Sequence, residues 1–152
     1  MKKLLCILFC CVAISAAAQE KIIINWLTDF ETAKMISKQT QKPILIYFTG
    51  SDWCRPCKML KQDFFYTKEF LKKSKQFVLL IADFPKNDIY ITKKQRAHNR
   101  ELGRKYNPSS RFPNIVAVNY KGEIIDNIMS YNKRRSTKRH YRFLEKVLKS
   151  SR

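Results

Sequence analysis

Three short stretches of the chain are almost wholly apolar: 43–48, 77–82 and 113–118. Runs of that length, rich in branched and aromatic residues and bounded by polar ones, predict strands covered on both faces. Between them the apolar spacing turns helical. Trp26, Phe30, Ala33 and Ile36 predict the buried stripe of a helix capped by Thr28 or Asp29 and broken after Thr40 by Gln41, Lys42 and Pro43. Further helices are predicted from Cys54 to about Phe65, from a cap at Thr67 through Lys75, and from a cap at Thr92 to Tyr106. The segment 85–91 reads as a loop and 107–110 as a turn cluster. Lys121 and Gly122 form a hairpin turn into a last strand at 123–128. A terminal helix capped by Ser136 or Thr137 carries Tyr141, Leu144, Val147 and Leu148 on one stripe, and 21–25 is a candidate edge strand. Strands alternating with helices predict an α/β fold, a mixed sheet with helices on both faces.

The first residues follow a different pattern. Lys2 and Lys3 precede an apolar run from Leu4 to Ile14, and Ala16 and Ala18 supply the small residues of a cleavage site before Gln19. Residues 1–18 are therefore read as a signal peptide and 19–152 as one domain, exported to a periplasmic or extracellular space. The run is shorter than the ~20 residues a spanning helix needs, so no permanent membrane span is expected. Cys10 and Cys11 raise a lipid anchor, but the bulky Leu8 and Phe9 before them make a poor acylation signal.

That division leaves Cys54 and Cys57 as the cysteines of the exported domain. They lie directly after the first predicted strand, at the opening of a helix, where unpaired N–H groups and the helix dipole favour a thiolate. The two-residue spacing keeps Cys57 within reach of a mixed disulfide at Cys54. A simple stabilising disulfide is the plainer alternative, but one closing so short a loop stabilises little. A zinc site would need a second ligand pair, and His98 and His140 stand far apart without ligand spacing, so neither metal nor cofactor is expected. Pro56 fits the first turn of a helix, where an N–H is not needed.

Charge adds a surface property. The formal net charge is +19, and 131–152 holds nine Lys or Arg against one Glu. Such a surface attracts anionic partners, although a solvated basic face is the plainer reading and is preferred to a dedicated binding site; export argues against nucleic acid.

Trp53-Cys54-Arg55-Pro56-Cys57 behind a central strand, with Phe112-Pro113 opening a later one, resembles the thioredoxin superfamily, in particular its secreted bacterial members. The resemblance covers nearly all of 22–149. It implies a thioredoxin-like fold and a thiol-disulfide oxidoreductase in which Cys54 is the nucleophile and Cys57 resolves the mixed disulfide. Trp53, Arg55, Pro56, Phe112 and a cis Pro113 would face the substrate. Implied partners are disulfide-bonded proteins and a redox protein that recycles the dithiol. Reduction or isomerisation is the expected direction, because Trp53 and Pro56 resemble the reducing members. Three features depart from the pattern. Tyr47 stands where the family places a buried acid, Leu79 or Leu80 where it places a lysine, and 85–100 is longer than the family core. Asp52 is a nearer acid, read as a solvated loop residue. A reading of another class is a binding module of the same fold that docks an acidic partner.

Overall fold

The computed structural model describes residues 23–131 and 133–151. The signal peptide expected at 1–18 lies outside them, as do Lys21 and Ile22 of the candidate edge strand. In chain order the elements are α1 (Phe30–Thr40), β1 (Ile44–Thr49), α2 (Arg55–Leu60) running into a π-helical turn (Lys61–Phe65), α3 (Lys68–Ser74) and β2 (Val78–Asp83). A single 3-10 turn (Asp88–Tyr90), α4 (Lys93–Tyr106), β3 (Asn114–Val118), β4 (Ile124–Met129) and α5 (Lys138–Ser150) complete the described part.

The four strands lie in the order β2-β1-β3-β4. β1 runs parallel to β2 and antiparallel to β3, which pairs antiparallel with β4. Every residue of β1 is buried, as a strand with two neighbours and two covered faces requires. Side-chain alternation divides the core between those faces. Leu45, Tyr47, Leu79 and Ile115 meet Leu60, Phe64, Phe65, Phe70 and Leu144 from α2, the π turn, α3 and α5. Ile44, Ile46, Phe48, Leu80 and Val116 meet Phe30 and Ala33 of α1 and Leu102 and Tyr106 of α4. The expected mixed sheet with helices on both faces is the observed architecture.

Local chemistry sets most helix starts where the sequence predicts them. Asp29 accepts from Thr32 N at 2.7 Å, Thr67 from Phe70 N at 3.1 Å and Thr92 from Gln95 N at 3.1 Å, each satisfying a first-turn donor. Thr137 stands at the start of α5, but its backbone is already helical and its hydroxyl makes no capping bond.

Three details differ from expectation. Trp26 is not on the stripe of α1. It precedes that helix and packs on the opposite face of the sheet, 5.2 Å from the ring of Phe65 and 5.8 Å from that of Tyr47. The cause is an edge bridge one residue further on: Leu27 N donates to Leu79 O and Leu27 O accepts from Ile81 N, both at 2.9 Å. Extended backbone at Leu27 sends Trp26 and Leu27 to opposite faces, and edge pairing occurs at Leu27 while Ile23, Ile24 and Asn25 of the expected strand take no part in it. The helix after Cys54 widens, with Tyr66 N bonded to Lys61 O at 2.9 Å across a π turn. The wider turn sets Phe64 and Phe65 side by side in the core and aims Asp63 at Tyr131 Oη, 2.7 Å away, and at Arg135.

His140 of α5 is 4% exposed, packs against Phe64 and Tyr131, and its Nδ1 has no partner. Burial, reinforced by Arg139, lowers its pKa from 6.5 to about 4. The unfolded chain therefore binds a proton between those values that the folded chain does not. Stability from this group is complete above pH 6.5 and is lost as pH falls toward 4. The loss should reach about 3 kcal/mol at most. Urea unfolding at a series of pH values should show this slope in the wild type and a flatter one in His140→Phe.

Candidate active site

The strand β1 delivers the chain to the site. After Thr49, residues 50–53 form a tight loop closed by Cys54 N donating to Gly50 O at 2.8 Å. Cys54 is the N-cap of α2: its Sγ accepts from Cys57 N at 3.3 Å, and its carbonyl accepts from Lys58 N at 3.1 Å. The N–H aimed at Sγ is the kind of donor that holds a thiolate at low cost. Cys54 and Cys57 are joined in a disulfide, both almost fully buried. Arg55 and Pro56 sit between them on the exposed first turn.

The other candidate residues arrive on a second loop. The Phe112–Pro113 peptide is cis. Asn114 is in register with Phe48, so Pro113 sits where β1 passes into the Cys54 loop. The rings of Trp53 and Phe112 meet edge-on at 5.4 Å, and Phe84 adds a third ring 5.4 Å from Phe112. Trp53 Nε1 donates to Phe84 O at 2.8 Å, which fixes the indole. The structure thus gathers Trp53, Phe112 and Pro113 beside the cysteine loop, while Arg55 and Pro56 border it from α2.

Gly50 belongs to this arrangement, although the sequence reading gave it no part. A Cβ there would lie 2.3 Å from Trp53 Cε2. Gly50→Ala should therefore push the indole away from Phe84 O. The expected readout is an altered Trp53 emission in a Trp26→Phe background; an unchanged spectrum would mean the loop yields instead.

Two acids near the cysteines have structural partners that sequence reading missed. Asp52 is not a free solvated residue. Its carboxylate accepts from Lys86 N at 3.0 Å and Asn87 N at 2.9 Å, and these bonds, Asn87's foremost, hold its pKa below the usual carboxylate range. Asp83, at the end of β2, accepts from Ser51 N at 2.9 Å. The loop before Cys54 is thus stitched to the segment after β2 at Ser51, Asp52 and Trp53. Asp52→Ala should speed amide hydrogen exchange at Lys86 and Asn87 while leaving β1 protected; equal protection in the variant would contradict the clip.

Behind α2 lies a cavity of about 560 Å³ walled by Trp26, Tyr47, Thr49, Cys57, Lys61 and Tyr66. Tyr47 Oη donates to Cys57 O at 3.3 Å. Burial, with the charge of Asp83 adding to it, raises the Tyr47 pKa far above the phenol's ordinary value. It holds its proton throughout the physiological range, so it does not replace a buried carboxylate as a base.

Buried amides brace the site from outside. Asn99 of α4, 2% exposed, donates to Asp83 O at 2.7 Å and accepts from Gln95 Nε2 at 2.8 Å. Asn107 donates to Arg111 O at 2.9 Å and accepts from Arg111 N and Asn114 Nδ2, holding the loop that carries Phe112. One signal for Asn99 was available: it shares a helical stripe with Gln95, Leu102 and Tyr106.

Comparison with known proteins agrees with this geometry. Over 88 residues the chain is 33% identical to the disulfide bond reductase DsbH of Chlamydia pneumoniae, covering 57% of this chain and 52% of that protein. It therefore spans about half the length of that curated relative. A solved DsbH oxidoreductase superposes with a TM-score of 0.74 at 25% identity, covering 85% of this chain and 87% of the other. A disulphide isomerase from Xylella fastidiosa Temecula1 shares the fold, with a TM-score of 0.60 at 21% identity over 83% of this chain and 99% of that one. Residues 25–119, more than half of the sequence, match the thioredoxin-like family, and the chain belongs to that family.

Proposed function

We propose that this chain is a thiol-disulfide oxidoreductase that reduces or isomerises disulfides in exported proteins. The observation that carries the reading is the Cys54–Cys57 pair at the opening of α2, beside the cis Pro113 and the ring of Trp53. The likeness to a disulfide bond reductase supports it. In the reducing direction the Cys54 thiolate attacks one sulfur of a substrate disulfide. That bond breaks, a Cys54–substrate disulfide forms, and the other substrate sulfur leaves as a thiolate that takes a proton. The Cys57 thiolate then attacks Cys54 Sγ and releases the second substrate thiol. Two electrons have passed to the substrate, and Cys54 and Cys57 are left oxidised.

Trp53, Arg55, Pro56, Phe112 and Pro113 frame the approach to Cys54 in this reading. Arg55 adds a cation between the cysteines that favours the thiolate, weakly because it is exposed. Tyr47 holds its own proton, so the acceptor for the Cys57 proton in this reading would be water entering the cavity that Cys57 lines. Residues 1–18 would export the domain to the periplasm or beyond, where substrate disulfides exist. A partner dithiol would return the pair to its reduced form. Trapping tests the reading: Cys57→Ser should accumulate mixed disulfides at Cys54 with polypeptides of the native compartment. Recovering none, with Cys54 still alkylatable, would overturn it.

A further inference from the structure

The segment between β2 and α4, which the sequence suggests is longer than the fold needs, is fixed directly onto the cysteine loop. Asp52 holds the amides of Lys86 and Asn87. Arg96 donates to Pro85 O at 3.0 Å and pairs with Asp88. Asn87 Oδ1 then accepts from Ile89 N at 3.0 Å and starts the Asp88–Tyr90 turn. These polar bonds position a turn with no buried residue, which presents Ile89 at 78% and Tyr90 at 63% exposure. Trp53, 40% exposed, is tied to the start of the same segment through its Nε1–H bond to Phe84 O. Apolar side chains held in water by a braced turn gain nothing for the fold; burial against a partner is where such an arrangement gives a return.

Charge identifies the partner. The acids of this region each have a partner: Asp52 the backbone amides of Lys86 and Asn87, Asp83 the amide of Ser51, and Asp88, whose side chain is 90% exposed, the guanidinium of Arg96. The cations face outward. Lys86 Nζ lies 5.7 Å from the Trp53 ring, Arg55 is exposed on the first turn of α2 between the cysteines, and Arg111 is exposed on the loop that carries Phe112 and Pro113. We propose that the Asp88–Tyr90 turn is a substrate-docking ledge, which takes polypeptide substrates whose disulfide is neighboured by acidic and apolar residues. This inference rests on the oxidoreductase reading and names its substrate class. Ile89 and Tyr90 would cover the apolar residues, while Lys86, Arg55 and Arg111 meet the carboxylates.

The test separates docking from chemistry. Binding is measured by fluorescence anisotropy with Cys54→Ser/Cys57→Ser and two labelled peptides of equal apolar content, one acidic and one basic around a central serine. Reactivity is measured with the reduced wild type and Ile89→Ser/Tyr90→Ser on the corresponding peptide disulfides and on neutral dithiodipyridine, too small to span from Cys54 to the turn. The expected results are at least tenfold tighter binding of the acidic peptide, a tenfold or greater loss of rate on the acidic peptide disulfide in Ile89→Ser/Tyr90→Ser, and an unchanged rate of that variant with dithiodipyridine. Equal binding of both peptides, or no loss in the double variant, would overturn the ledge. So would an equal fall in the rates with peptide and dithiodipyridine, which would show that the turn merely supports the cysteine loop. Selective binding without disulfide exchange would uphold the ledge and overturn the oxidoreductase reading instead.

Discussion

Cys54→Ser should abolish disulfide reduction, lowering turnover by about three orders of magnitude or more, because a hydroxyl at neutral pH is not a competent nucleophile toward sulfur. The fold should survive. Cys54 and Cys57 are only three positions apart, so losing their disulfide costs at most about 2 kcal/mol of chain-entropy stabilisation. Cys57→Ser should behave differently: Cys54 keeps the N–H donor of residue 57 and attacks once, but the mixed disulfide persists. Insulin reduction by turbidity and a single-turnover assay on the same samples distinguish the two variants. Equal single-turnover rates for wild type and Cys54→Ser would remove Cys54 from the nucleophile's role.

The second large effect concerns the scaffold. Phe64→Ala should destabilise the protein by about 3–5 kcal/mol, as deletion of a fully buried aromatic ring does. Phe64 has no exposed surface, and its ring is 4.9–5.3 Å from those of Phe65, Phe70, His140 and Tyr141. It joins the π turn that follows the cysteine helix to α3 and α5 at once. Against a total stability of roughly 5–15 kcal/mol, that loss is severe. Phe64→Leu, which keeps most of the volume, should cost far less. Urea unfolding midpoints measure both; similar values for the two variants would show that the site collapses around the deletion.

Much of this was legible along the chain because it depends on neighbours in sequence. The run Ile44–Phe48 reads as a buried central strand since all its side chains are apolar, and the thiol pair reads as a helix opening because Pro56 and the preceding strand fix its place. What could not be read depends on distant partners. Asp52 becomes a clip only through amides at Lys86 and Asn87, and Gly50 matters only because Trp53 folds back over it. The side of the sheet that Trp26 occupies was decided by a single bridge at Leu27. The burial of His140 was not part of the sequence reading, although its spacing from Leu144 and Val147 puts it on the buried stripe. The π turn has no sequence mark beyond the adjacent pair Phe64 and Phe65, which an α-helix would splay apart.

Direction of transfer follows from the reduction potential. The reducing role agrees with values near roughly −270 mV and disagrees with values near −120 mV, the range of a strong oxidant. More direct still is the transfer itself. Fully reduced protein is mixed anaerobically with a disulfide-bonded polypeptide, quenched with acid and alkylated, and both partners are read by intact mass and peptide mapping. The account predicts that Cys54 and Cys57 lose both thiol hydrogens in step with the gain of two thiols by the substrate. A chain that keeps both thiols while the substrate keeps its disulfide would contradict it.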